Sequence, residues 1–204
     1  MIKTLKFPFH FNAEEMREDL RKFSADEWIP HFNKSYYQGD WSGIPLRASK
    51  GGLSPLYPDP NSPEFEDTQM MERCSYIPEI LNTFQCPTGS VRFLKLGAGA
   101  KIIEHRDYGL SIEDGAARIH IPIKTNPQVE FRLDGEVLQM GEGESWYLNF
   151  NLPHSVVNQG EGERVHLVLD FAANDWFFDF FPAEVKKQAL ESIEREKILA
   201  GHAG

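Results

Sequence analysis

His105, Asp107 and His154 are the residues of this chain whose types and spacing fit a metal ion. Side chains at i and i+2 of a strand point to one face, so His105 and Asp107 can reach a single ion. A distant second imidazole completes two histidines and one carboxylate, the facial set that holds non-haem Fe(II) and leaves positions open for reactants. Arg164 follows soon after His154, and a fixed guanidinium there can bind a carboxylate co-substrate through both oxygens. In a chain with seven histidines, a His-x-Asp pair alone is a weak signal. Its placement strengthens it: the apolar run Lys101-Ile102-Ile103 precedes it and a polar stretch from Tyr108 to Gly115 follows, as at the mouth of a barrel.

Two further segments bring polar groups to the same kind of face. In Arg118-Ile119-His120-Ile121-Pro122-Ile123, alternation puts Arg118 and His120 together and the isoleucines opposite. Arg164-Val165-His166-Leu167-Val168-Leu169-Asp170 repeats the pattern, with Val165, Leu167 and Leu169 on one face and Arg164, His166, Val168 and Asp170 on the other. Two inward Arg-x-His faces line a cavity suited to anions beside a metal. A buried guanidinium must be paired. For Arg164 the partner is either Asp170 or another acid within the chain, or a carboxylate brought by a ligand.

The elements that must position these groups follow from pattern. From Gly89 to Phe171 short Val-, Ile-, Leu- and Phe-rich runs alternate with turn residues: 91–96, 101–104, 118–123, 129–133, 137–140 and 145–149. Asp134-Gly135 between two such runs predicts a tight hairpin. That many strands in so short a segment suit a jelly roll, a double-sheet barrel enclosing a small-molecule site. Residues 1–88 carry helix signals instead: Asn12 with Glu15 and Ser24 with Glu27 have capping-box spacing, and Ser75 to Phe84 predicts a helix with Pro78 in its first turn. Four prolines and a Gly-Gly pair mark Gly51 to Pro63 as a long loop, a candidate lid or substrate wall, where Arg47, Lys50 and Tyr57 can meet an acidic substrate. Pro182 to about Leu199 predicts a C-terminal helix with Val185, Ala189, Ile193 and Glu196 marking its amphipathic face. The expected architecture is mainly β with flanking helices: one domain over 1–204, with an N-terminal part (1–88), a cupin-like barrel core (89–176) and a C-terminal helix (177–204).

Composition limits the partners. A net charge of -10 argues against nucleic acid and against an anionic membrane surface. No apolar run approaches the roughly 20 residues that span a bilayer, and Met1 to Lys6 does not read as a signal peptide. Cys74 and Cys86 are the only cysteines, which suits a reducing compartment and makes the cytoplasm the expected location.

Taken together, His105-x-Asp107, Arg118-x-His120, Trp146-Tyr147-Leu148-Asn149, Pro153-His154-Ser155 and Arg164-x-His166-Leu167 resemble the aspartyl/asparaginyl β-hydroxylase family, over about residues 89 to 176. Weaker similarity reaches back to Trp41–Arg47. The resemblance implies an Fe(II)- and 2-oxoglutarate-dependent dioxygenase on a double-stranded β-helix, with O2 as second co-substrate. It implies metal ligation by His105, Asp107 and His154, and 2-oxoglutarate binding by Arg164 and His120. Arg118 matches the position approaching the substrate's carboxylate. The animal aspartyl hydroxylase lacks the acidic ligand that Asp107 supplies, and Leu94 and Leu96 replace its polar or sulfur-bearing contacts. The comparison therefore tilts toward bacterial relatives. The expected reaction is hydroxylation of an aspartyl/asparaginyl residue or an amino-acid-like substrate, with a free-proline-type amino acid as the alternative. A peptide Asp or Asn, a free amino acid and an amino-acid-derived conjugate all fit a pocket with Arg118.

Two other readings stay open on sequence. A cupin-type metalloenzyme without 2-oxoglutarate would use three histidines and a glutamate from tighter motifs, which this chain lacks. A non-catalytic jelly-roll binding module would use Trp146, Trp176, Phe177, Phe178, Phe180 and Phe181 as an interface, although aromatics at that density fit a core better.

Overall fold

The computed structural model describes residues 2–52, 54–56 and 64–201. Thirteen strands and four helices follow in order: β1 (Thr4–His10), α1 (Ala13–Leu20), β2 (Ile29–Pro30), β3 (Tyr37–Gln38), β4 (Trp41–Ser49), β5 (Phe65–Asp67), α2 (Ile77–Thr83), β6 (Thr88–Leu96), β7 (Lys101–His105), β8 (Ala116–Lys124), β9 (Val129–Leu133), β10 (Glu136–Leu138), β11 (Glu144–Leu148), β12 (His154–Asn158), β13 (Arg164–Ala172), α3 (Asp175–Phe178) and α4 (Ala183–Gly201). An eight-stranded sheet runs β1-β11-β8-β13-β6-β4-β2, with β5 beside β4, and a five-stranded sheet runs β10-β9-β12-β7-β3. All pairings are antiparallel. This is the jelly roll.

Period-two alternation on the four central strands of the larger sheet decides where everything sits. Val91 and Phe93 of β6, Ile119, Ile121 and Ile123 of β8, Tyr147 of β11 and Val165, Leu167 and Leu169 of β13 all face one apolar core. The helices cover that face: Met16 and Leu20 of α1, Ile77 and Ile80 of α2, Phe177 and Phe178 of α3, and Ala189 of α4 are buried in it. The dense C-terminal aromatics therefore belong to the core. The opposite face meets the smaller sheet through Trp41, Leu96, Ile102, Phe131, Leu148, Phe150 and Val156. The polar residues of these strands lie on that second, inter-sheet face.

Asn12 caps α1 and bonds Glu15 as its spacing predicts. The Ser24–Glu27 box is also formed, but it caps a single 3-10 turn rather than a helix. Asp134, with φ of 49°, and Gly135, with φ of 79°, make the β9–β10 hairpin. Residues 1–88 differ from their helix-and-loop reading: β1, β2, β4 and β5 extend the larger sheet and β3 the smaller one. β4 was hard to see because Gly43 and Pro45 break its pattern. Gly43 is required by close approach, since a Cβ there would stand 2.9 Å from the Phe93 carbonyl oxygen of the neighbouring strand. No helix among the described residues is long and apolar enough to cross a membrane.

Candidate active site

His105 ends β7, His154 opens β12, and the antiparallel register sets them side by side. Their ring centroids are 4.2 Å apart. Each ring is oriented by its own strand: His105 Nδ1 donates to the Ile103 carbonyl at 2.8 Å, and His154 Nδ1 to the Leu152 carbonyl at 3.0 Å. In a neutral ring that bond leaves Nε2 as the lone pair, the form in which imidazole ligates a metal. Burial brings the His154 imidazole down to about 4, so it is uncharged at neutral pH. Asp107 is held by its backbone N–H, which donates to the Phe150 carbonyl at 2.9 Å. One ligand atom from each of His105, Asp107 and His154 lies within 4.8 Å of the others. This donor set fits iron.

Next to it stands a network of charges. Arg118 lies opposite Asp170 in the β8–β13 register. It donates Nε to Asp170 Oδ1 at 2.7 Å, Nη2 to Oδ2 at 3.0 Å, and Nη1 to Asp107 Oδ2 at 2.9 Å. Arg92 of β6 donates to Asp170 Oδ2 at 3.0 Å. Burial alone would raise the Asp170 carboxyl, but the Arg118 and Arg92 guanidiniums outweigh it and hold it at about 2.

At the other end of β13, Arg164 is 2% exposed. Its Nη2 donates to His166 Nδ1 at 2.8 Å, and its guanidinium carbon lies 5.7 Å from the centre of the Phe131 ring. Its Nε is one of two buried side-chain polar atoms without a hydrogen-bond partner among the described residues. Burial lowers this guanidinium to about 9. Asp170 is engaged with Arg118 and Arg92, so the internal ion pair expected as one alternative for Arg164 is not formed. His120 completes this end, with Nδ1 3.1 Å from His166 Nδ1 and its ring stacked 5.0 Å from Phe150. A buried cation with an unmet donor is what a ligand carboxylate would satisfy.

Three cavities share walls at this cluster. The outer one, about 370 Å³, has an aromatic wall of His31, Phe32, Tyr36, Trp41 and Tyr108 facing Arg92 and Arg118. His31 stacks on Trp41 with centroids 3.5 Å apart, and burial holds its imidazole down to about 4. The inner cavity, about 40 Å³, contains the His105–Asp107–His154 cluster with His120 and Arg164. Trp41, Leu94, His105, Asp107 and Arg118 line both of these. The far cavity, about 430 Å³, opens behind Arg164 and His166, and Phe131 and Arg164 divide it from the inner one.

The sequence model of the Aspartyl/Asparaginyl beta-hydroxylase family matches residues 10–174. The chain belongs to this family. Among curated relatives, L-proline cis-4-hydroxylase of Rhizobium meliloti is 28% identical over 80% of this chain, and L-proline cis-3-hydroxylase 1 of a Streptomyces species is 30% identical over 91%. The chain spans 58% of the first relative's length and 67% of the second's. A solved oxidoreductase of the 2OG-Fe(II) oxygenase family from Burkholderia pseudomallei shares the fold, with a TM-score of 0.54 at 14% identity over 85% of this chain and 88% of that one.

Of the residues singled out in this aspartyl/asparaginyl hydroxylase family member, His105, Asp107, His154, His120, Arg118 and Arg164 converge on one cavity. Arg47 does not. It bonds Asp67 Oδ1 at 2.7 Å and the Phe65 and Thr88 carbonyls, tying β4 to β5, and lines neither cavity at the cluster. Lys50 pairs with Glu64 at 3.3 Å. Tyr57 and most of the loop it belongs to lie outside the described residues. Arg92, Asp170 as its partner, and the aromatic wall were missed. Arg92 was legible, because it alternates with Val91 and Phe93; His31, Phe32 and Tyr36 sit in short irregular segments with no period to read.

Proposed function

We propose that this chain is an Fe(II)- and 2-oxoglutarate-dependent dioxygenase that hydroxylates an unactivated C–H bond of a free amino acid, proline or a close imino-acid analogue. The observation that carries the reading is Arg164: a buried guanidinium, unmet at Nε, in the same cavity as two histidines and an aspartate. The proline hydroxylases among its relatives support a small amino-acid substrate over an Asp or Asn residue in a peptide. An outer cavity of about 370 Å³ also falls in the small-molecule range.

In this reading His105, Asp107 and His154 hold the iron. Bound there with 2-oxoglutarate and O2, the metal supplies oxidative decarboxylation to succinate and CO2 coupled to hydroxylation of the substrate. The protein's part is to bind, orient and exclude water. Arg164 receives the distal carboxylate of 2-oxoglutarate, and His120 adds a second contact. Arg118 and Arg92, held rigid by Asp170, present the positive wall that receives the substrate's own carboxylate. The opposing aromatic wall packs the hydrocarbon part and keeps water from the cluster.

An anaerobic titration with Fe(II) and 2-oxoglutarate tests the co-substrate: a visible charge-transfer band is expected in wild type and absent in His105→Ala. Its absence in wild type would remove the mechanism and favour a non-catalytic module. Metal-dependent turnover without 2-oxoglutarate would favour the cupin-type reading. Succinate release with L-proline, against release with an aspartyl peptide, tests the substrate; coupling only to the peptide would restore the aspartyl/asparaginyl alternative.

A further inference from the structure

Hydrogen-bond geometry at the Arg164 end determines which nitrogen carries each proton. A guanidinium only donates, so the 2.8 Å contact from Arg164 Nη2 leaves His166 Nδ1 as a lone pair. That nitrogen is also 3.1 Å from His120 Nδ1, so His120 Nδ1 bears a hydrogen and donates. Both rings are neutral, because burial and then the Arg164 charge push each imidazole well below its usual range. A neutral imidazole has one N–H. His120 Nε2, on the opposite edge of a ring that lines the inner cavity, is therefore bare.

A bare nitrogen repels a carboxylate. Burial first, and then the charges around His120, keep a second proton off the ring: Arg164 on β13, Arg118 on β8 and Arg92 on β6 oppose it, with His154 on β12 neutral. The nearby acids are committed, Asp170 to Arg118 and Arg92 and Asp107 to Arg118. Behind His166, Glu142 and Glu144 line the far cavity but are paired with Arg17 and Lys6. An arriving carboxylate is the missing anion. The inner cavity, about 40 Å³, is smaller than the two beside it, and a carboxylate reaching Arg164 competes with His166 for its Nη2.

We infer that His166 is a positioning residue for the co-substrate: by accepting the His120 Nδ1–H it forces a carboxylate to enter together with one proton, taken from solvent onto His120 Nε2. The proton then lies between imidazole and carboxylate, and His166 Nδ1 supports the resulting imidazolium. This rests on the 2-oxoglutarate site proposed above and assigns its proton balance.

The test is calorimetric titration of 2-oxoglutarate into anaerobic Fe(II)-loaded protein, at pH 7.5, in phosphate and in Tris. Wild type is expected to show a buffer-dependent enthalpy equal to uptake of about one proton per ligand, with affinity weakening up to about tenfold per pH unit from pH 7 to 8. His166→Asn, whose amide oxygen still accepts from Arg164 and His120, keeps the uptake. His166→Leu frees His120 to carry its proton on Nε2, so binding continues with uptake near zero. Binding in wild type without buffer dependence, or unchanged uptake in His166→Leu, overturns the inference and leaves the proposed function standing. No binding heat at all removes both. Should His166→Leu fail to fold, 15N shifts of the zinc-loaded wild-type protein decide: a neutral His120 protonated at Nε2 before ligand is added overturns the inference.

Discussion

Arg118 and Arg164 are buried guanidiniums on neighbouring strands of the same sheet, facing the same inter-sheet space, and they are handled in opposite ways. Arg118 meets Asp170 through two bonds and Asp107 through a third. Arg164 meets a neutral imidazole and an aromatic face, with Nε unmet. One end of the cavity has carboxylate partners within the fold, and at the other Arg164 has none among the described residues. Burying an uncompensated charge is costly, and that cost is the reason the proposed co-substrate site is put at the Arg164 end.

Removing the central acid should produce the largest effect. Asp170→Asn leaves Arg92 and Arg118 without the carboxylate they share, and we expect a loss of about 3–5 kcal/mol in denaturant unfolding. A loss under about 1 kcal/mol would mean that the network is not what closes this end.

Arg164→Met should do the reverse. Taking away a buried charge that has no carboxylate partner leaves stability unchanged or raises it by about 1 kcal/mol. The same change should weaken 2-oxoglutarate binding by roughly 30- to 150-fold, about 2–3 kcal/mol of charge-assisted hydrogen bonding. Iron binding should persist. A variant that is strongly destabilised would show that Arg164 has a structural partner and that the two ends are alike.

How much of this was legible depends on periodicity. The faces of β8 and β13 could be read directly, because Ile119, Ile121, Ile123 and Val165, Leu167, Leu169 alternate with Arg118, His120, Arg164 and His166. The Asp134-Gly135 hairpin was visible for a local reason, the positive φ that both residues adopt. Partner choice was not legible. Asp170 shares a face with Arg164 on its own strand, and only the cross-strand register shows that it lies opposite Arg118. The outer cavity was hidden too, since β4 interrupts its alternation at Gly43 and Pro45, and His31, Phe32 and Tyr36 depend on tertiary placement alone.

Acid should separate the two ends. His120 and His166 are held neutral in the fold, below the usual 6.5, so they bind fewer protons folded than unfolded. Their contribution is present above pH 6.5 and is lost as pH falls below it, by at most about 1.4 kcal/mol per unit for each ring. Asp170 runs on a lower scale: with its carboxyl held at about 2 against the usual 3.8, its contribution is intact above 3.8 and lost only as pH falls toward 2. Unfolding measured at pH 7, 6, 5 and 3.5 should show a decline already below 6.5, to which His31 and His154, brought by burial to about 4, also contribute, and which is smaller in His166→Asn. An onset only below pH 4 in wild type would place these histidines outside the acid response.

The smallest effect belongs to Arg47, which by sequence could have served the substrate. Its donors end on Asp67 and on the carbonyls of Phe65 and Thr88, away from the triad, and its side chain is 26% exposed. A partly exposed tie of this kind contributes about 1 kcal/mol or less, so Arg47→Ala should lower stability by about that amount. KM and kcat for the substrate should stay within about twofold, because uniform binding is lost only when a contact to the ligand is lost. Arg118→Lys is the instructive contrast: it keeps the charge but not the fork that reaches Asp170 and Asp107 together, and should raise KM at least tenfold. If Arg47→Ala raised KM as much as Arg118→Lys, the positive wall would extend beyond the cavity that now defines it, and the substrate would have to be longer than an amino acid.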